Sequence, residues 1–193
     1  LLENFKNCDF ISRYSQLENK ERDMLFRLSD MYLLFYFQYI DNNRSKDEQY
    51  WLHHFNDRSV ESWEGFAFEA LCLLHLPLIK KGLGISGMAT SASSWRYAGD
   101  KENDRKGAQI DLVIKRADGL LHLVEMKFAR SEYEITKDYA QRLNERRNTF
   151  SVVTGISHGL MDTFVTPFGI KRGVNSSGIV SQITGKDLFG LLL

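Results

Sequence analysis

Three charged side chains stand where charge is costly. Asp111 lies in the apolar run Ala108-Gln109-Ile110-Asp111-Leu112-Val113-Ile114. Glu125 and Lys127 lie in Leu121-His122-Leu123-Val124-Glu125-Met126-Lys127-Phe128. Both runs have the aliphatic, β-branched character of buried strands, and a charge inside such a strand is unfavourable unless something uses it. Two neighbouring carboxylates repel each other unless a cation sits between them. Hard oxygen ligands of this kind suit Mg²⁺ or Mn²⁺. A metal there polarises a phosphoryl oxygen and lowers the pKa of a bound water. Lys127 can orient the attacking water or offset developing negative charge. Glu69, on the flank of a helical stretch, is a third acid in apolar surroundings and can reach the same metal through water.

Whether the two acids meet depends on the turn between their strands. A three-residue loop, Ala117-Asp118-Gly119, with Gly119 in the left-handed region is a common hairpin connection. It pairs Arg116 with Leu120, and further along it sets Asp111 against Glu125 and Gln109 against Lys127, all on one face. A two-residue Asp118-Gly119 turn shifts the register by one and sends Asp111 to the opposite face from Glu125. The sequence alone leaves both turns open.

The elements that must position these residues follow from periodicity. Ser59 or Ser62 can cap a helix running to about Leu76, stopped by Pro77. Trp63, Phe66, Ala67, Ala70, Leu71 and Leu74 recur at core-stripe spacing along it. Strands are expected at 85–97, 108–115 and 120–128. Ser131 and Glu134 form a capping box for a helix to about residue 149, with Ile135, Tyr139 and Leu143 on its apolar face. The segment 150–155 reads as a buried strand, and a last strand falls near 179–183. Helix, three strands, helix, strand is an α/β pattern. Upstream, Leu1, Leu2, Phe5 and Cys8 fit one helical face. Short strands at 11–14 and 24–28 flank a polar turn, Asp30 can cap a helix to Ile40, and a second helix covers 47–55. This divides the chain into a connector, 1–57, and a main domain, 58–193.

Composition bounds the alternatives. The 193 residues carry 25 Lys plus Arg and 25 Asp plus Glu, so the formal net charge is zero. A non-specific nucleic-acid coater or membrane-surface binder normally shows a basic excess, so any nucleic-acid contact must be local. Two cysteines, Cys8 and Cys72, without CxxC spacing exclude a zinc finger and argue against a disulfide framework. The longest apolar run, 24–40, contains Arg27 and Asp30 and is too short for a membrane span. The expectation is a reduced, cytoplasmic, soluble protein. The chain starts Leu1-Leu2, inside an apparent helix, which suggests a piece of a longer protein. Lys137, Arg142, Arg146 and Arg147 can contact phosphates, on a helix face that also carries Asp138 and Glu145. His53 and His54 point about 100° apart on a helix and read as structural. Ser151 and Ser157 near His158 lack a nucleophile-elbow glycine pattern.

Asp111, thirteen intervening residues and Glu125-Met126-Lys127 resemble the active-site pattern of the PD-(D/E)XK nuclease superfamily, and Glu69 matches the acid that many members carry on the first core helix. The residue before Asp111 is Ile110, where the superfamily pattern has proline. The segment Phe26-Arg27-Leu28-Ser29-Asp30-Met31-Tyr32-Leu33-Leu34-Phe35-Tyr36 is similar to one that follows a winged helix in bacterial and archaeal AAA-type ATPases of the DUF234/DUF4143 kind. Trp63-Glu64-Gly65-Phe66-Ala67-Phe68-Glu69 looks like their helix with the pattern GxxFE, and the tail from Pro167 to Phe189 looks like their C-terminal segment. The resemblance implies a restriction-endonuclease-like core, a mixed sheet flanked by helices, with a winged-helix remnant and helical linker before it. It implies metal-dependent hydrolysis of nucleic acid, DNA foremost. Asp111, Glu125 and Glu69 would hold Mg²⁺ or Mn²⁺, Lys127 would serve catalysis, and a P-loop ATPase domain would precede in the full-length chain. It also leaves a non-catalytic regulatory module as the alternative. No G-x-x-x-x-G-K-[ST] motif occurs, so no ATP hydrolysis is expected of these residues.

Overall fold

The computed structural model describes residues 1–17, 25–41, 47–100 and 105–190. The connector contains α1 (Leu2–Asn7), the antiparallel hairpin β1 (Ile11–Tyr14) and β2 (Leu25–Leu28), and α2 (Met31–Phe35), which runs on as a π-helical turn (Tyr36–Ile40), then α3 (Tyr50–His54). Asp30 caps α2 as its sequence suggests: its carboxylate accepts from the backbone N–H of Tyr32 and Leu33. The apolar face expected on α1 finds no core, because no residue of that helix is buried. Phe35, Tyr39, Trp51 and Trp63 meet edge-on or tilted, with centroids 5.0–6.4 Å apart. This aromatic cluster fixes the connector to the start of the next helix, since such pairs add to the burial of their large apolar area.

The main domain follows as α4 (Arg58–Leu74), α5 (Leu76–Gly82), β3 (Thr90–Tyr97), β4 (Ala108–Arg116), β5 (Leu121–Met126), α6 (Lys137–Thr154), β6 (Leu160–Val165), a 3₁₀ turn (Val174–Ser176), β7 (Ile179–Ile183) and α7 (Gly185–Phe189). It is an α/β fold with a mixed five-stranded sheet in the order β3-β4-β5-β6-β7. β3, β4 and β5 pair antiparallel, whereas β5, β6 and β7 pair parallel. The parallel β5–β6 pair requires a crossover, and α6 supplies it. Every residue of β5 is buried, as expected of a central strand covered on both faces. Phe68 and Cys72 of α4 and Ile79 of α5 pack with Leu112, Ile114, Val124 and Met126. Phe150 of α6 packs with Trp95, Ile110, Val113, Leu121 and Leu123. No helix among the described residues is long and apolar enough to cross a membrane.

Four local expectations are corrected. The segment 150–155 is not a strand but the last turn of α6, closed by Gly155 with φ 72°. Phe150 lies seven residues after Leu143, so it prolongs that helix's buried face, and this packing overrides the β-branched character of Val152 and Val153. The strand instead spans Leu160–Val165, where Asp162 and Thr163, both buried, mask its apolar pattern. α6 is capped by Thr136, whose hydroxyl accepts from the Tyr139 N–H, and not by Ser131. Residues before it stay extended because Tyr133 bridges Ile170. Pro77 sits in the first turn of α5, a position where its missing N–H costs nothing, and the helix break precedes it. Residues 85–89 form a turn after α5, with Ile85 N–H bonded to the Lys80 carbonyl, so β3 starts only at Thr90.

Candidate active site

The turn between β4 and β5 is the three-residue form. Arg116 N–H donates to the Leu120 carbonyl at 2.9 Å and Gly119 N–H to the Arg116 carbonyl at 3.1 Å, with Gly119 at φ 86°. Asp118 accepts from the Leu120 N–H and from the Arg116 side chain, which fixes the turn. The ladder runs from Lys115↔Leu121 to Leu112↔Val124.

Just beyond, β4 departs from regular alternation. Ser93 pairs with Val113 and Trp95 with Ile110, so Asp111 and Leu112 together oppose Ser94. This is a β-bulge, a device that bends a strand and re-aims a side chain. Ile110 and Val113 therefore pack on the same side, and Asp111 turns into a groove that it shares with Glu69 and Leu73 of α4. Hairpin arithmetic alone does not give that direction. Opposite it, the segment 15–17 lies along the β3 edge. Gln16 bridges Ser94 in parallel, Leu17 N–H donates to the Ser94 carbonyl, and Ser94 N–H donates to the Ser15 carbonyl.

Asp111 feels three of the predicted partners. Burial, then the charges of Glu69 and Glu125, push its carboxyl up to about 6, while a 3.1 Å hydrogen bond from Gln109 and the charge of Lys127 act against that. The four charged groups thus form one electrostatic neighbourhood. Glu125 is only 4% exposed and is closely held. It accepts from the Tyr139 hydroxyl at 2.6 Å, from Lys127 Nζ at 2.8 Å and from the Arg146 guanidinium. Burial alone would raise its pKa, but the charges of Arg146 and Lys127 outweigh burial and hold it below the usual range. Glu69 is paired with Arg27 of β2, whose guanidinium also lies 5.6 Å from the Tyr14 ring centroid.

Of the basic residues expected on phosphate, Lys137 and Arg142 are exposed on α6, with Arg142 stacked on the Tyr139 ring at 5.1 Å. Arg146 turns inward to Glu125 and is 14% exposed along its side chain. Arg147 pairs with the buried Asp162. Tyr139 and Arg27 are site residues that sequence reasoning passed over, and Arg146, expected on phosphate, instead holds Glu125. Tyr139 and Arg146 lie seven positions apart, on one face of α6, and that spacing was the available signal. Nothing local in the sequence links Arg27 to Glu69.

Among the described residues, no three of His, Cys, Asp and Glu gather into a ready metal-binding group. The donors nevertheless have the chemistry for a hard divalent cation. Glu69 and Glu125 both act electrostatically on Asp111, but the expectation that Asp111, Glu125 and Lys127 line one face is not met: Asp111 lies in the groove beside Glu69 of α4, whereas the Glu125 carboxylate is directed to Tyr139 and Arg146 of α6. Comparison with known proteins returns no match, whether among family models, curated proteins or solved structures.

The crowding at Asp111 has a pH signature. Its folded pKa is raised, so the native state holds the proton more tightly than the unfolded chain. The stabilisation is full below the unfolded value of 3.8 and is lost as pH rises through about 6. A shift of that size corresponds to at most about 3 kcal/mol. In chelator, Asp111→Asn is expected to gain stability over wild type as pH rises from 4 to 7. Urea unfolding of both proteins across that range checks it. A constant difference would mean that neither burial nor the neighbouring acids raise the Asp111 carboxyl.

Proposed function

We propose that this chain carries a PD-(D/E)XK-type site for metal-dependent hydrolysis of phosphodiester bonds in nucleic acid, DNA foremost. One observation carries the reading: the β4 bulge turns Asp111 into an open groove beside Glu69, where it is electrostatically coupled to Glu125 and Lys127. The order of elements, a helix before three antiparallel strands and a helix before a parallel fourth, supports the restriction-endonuclease-like core. Asp111 and Glu125, with Glu69 assisting, would hold Mg²⁺ or Mn²⁺. The ion supplies Lewis-acid polarisation of the phosphoryl oxygen and a more acidic water. Lys127, 37% exposed along its side chain, would donate to charge developing on the phosphoryl group. Arg146 and Tyr139 hold Glu125 in position from behind.

A second reading rests on a different observation. Glu69 is matched by Arg27, and Glu125 by Lys127 and Arg146, so much of the acid charge is already neutralised. That suits a non-catalytic regulatory module that keeps the fold, acting on an ATPase domain of the same full-length chain.

Thermal melting separates the two. A ligand that binds only the native state stabilises it by mass action, by about 2.7 kcal/mol at a hundredfold excess over Kd. Millimolar Mg²⁺ or Mn²⁺ is expected to raise the melting temperature of wild type over that in chelator and to leave Asp111→Asn nearly unmoved. A wild-type protein indifferent to both metals supports the module.

A further inference from the structure

The groove that ends at Asp111 has walls from two parts of the chain. The sheet and α4 form one, and the N-terminal hairpin forms the other, held in place by the Gln16–Ser94 bridge. Its volume is about 560 Å³. Four cations line it, Lys6, Arg13, Arg27 and Arg96, against two acids, Glu69 and Asp111. Among the described residues the lining carries more cations than acids, with Lys6 paired to Glu3 and Arg27 to Glu69, and both lining acids lie at the proposed reaction centre. Arg13 and Arg96 are exposed on strands β1 and β3. Tyr14 adds an aromatic ring to the wall beside Arg27.

Cations that track a backbone, with an aromatic platform among them, are what single-stranded nucleic acid requires. Size points the same way. A space of this volume suits one drug-sized ligand, the scale of a nucleotide or two. Two paired strands need more room than that volume offers. We infer that the groove between the N-terminal hairpin and the β3–β4 edge is the entry track for a single strand, with Arg13 and Arg96 on its phosphates and Tyr14 against a base. This rests on the phosphodiesterase reading and adds to it: the substrate is single-stranded or frayed at the cut, and the connector is part of the binding site. The exposed cations of α6, Lys137 and Arg142, are outside this groove.

The test is fluorescence anisotropy with a labelled oligodeoxynucleotide, single-stranded or annealed, in excess chelator so that binding is read without cleavage. On a single strand each phosphate contact contributes about 0.7 to the slope of log K against log salt. Wild type is expected to bind the single strand more tightly than the duplex. Arg13→Ala/Arg96→Ala should lower the slope by about 1.4 and weaken binding at low salt, with melting curves confirming an intact fold. Lys137→Ala/Arg142→Ala should bind like wild type. Tighter binding of duplex, an unchanged slope in the Arg13/Arg96 variant, or no binding by wild type overturns the inference. Cleavage is scored separately in metal. Binding through the groove without cutting removes the catalytic reading and keeps the track. Cutting by a chain whose binding ignores Arg13 and Arg96 keeps the catalytic reading and removes the track.

Discussion

Arg146→Met is expected to destabilise the protein by about 3–5 kcal/mol, the range for removing one partner of a buried ion pair. Glu125 lies on a strand buried along its whole length, and Arg146 is itself largely enclosed. The ordinary response of an abandoned buried carboxylate is to take up a proton, but here Lys127 and the Tyr139 hydroxyl still favour the ionised form. The charge therefore stays, short of its strongest partner. Methionine keeps most of the side-chain volume, so the loss reports charge more than packing. Adding Glu125→Gln removes the stranded charge, and the double variant should recover much of the deficit. Urea unfolding midpoints at constant slope measure both effects. A single variant within about 1 kcal/mol of wild type would place the pair in contact with water, as for an exposed ion pair.

Lys127→Ala is expected to lower cleavage by about 10²-fold or more, the scale of losing one preorganised donor to transition-state charge. The same lysine holds Glu125 at 2.8 Å, so two roles have to be separated. If Lys127 merely restrained Glu125, its removal would free that acid for metal and the rate would hold or rise. If it acts on the phosphoryl group, the rate falls while metal-dependent melting persists. Melting shifts and rates measured on one preparation decide between these. Unchanged cleavage would exclude Lys127 from the reaction or expose a contaminating nuclease.

The sheet's helix-strand-strand-strand-helix order was legible because its buried strands form long aliphatic runs, whereas the stripe expected on α4 was misplaced: its buried face runs through Val60, Phe68, Ala70 and Cys72 and leaves Phe66 and Leu74 exposed. β6 was hidden because buried Asp162 and Thr163 imitate a polar segment, and Phe150 to Thr154 imitate a strand while belonging to a helix. The site was legible in part for a related reason. Asp111, Glu125 and Lys127 stand out as charges in apolar strands, and the Gly119 turn brings those strands together in the three-residue register as far as Leu112↔Val124; the expected pairing of Asp111 with Glu125 does not continue past it. The direction of Asp111 was not legible, because it depends on a bulge set by pairing with β3, far along the chain. The counter-charges are also long-range: Arg27 reaches Glu69 across 42 positions. Arg146 and Tyr139 reach Glu125 from α6, where sequence alone read Arg146 as a phosphate contact and Tyr139 as part of the helix's apolar face.

Metal-dependent phosphodiester hydrolysis by the acids around Asp111 is read by incubating the purified chain with an end-labelled single-stranded oligodeoxynucleotide and resolving the products by length. Wild type should cut in millimolar Mg²⁺ or Mn²⁺ and stop cutting in excess chelator, and Asp111→Asn should not cut in either. Wild type that binds the strand but leaves it intact in both metals, or Asp111→Asn that cuts as fast as wild type, would contradict the account.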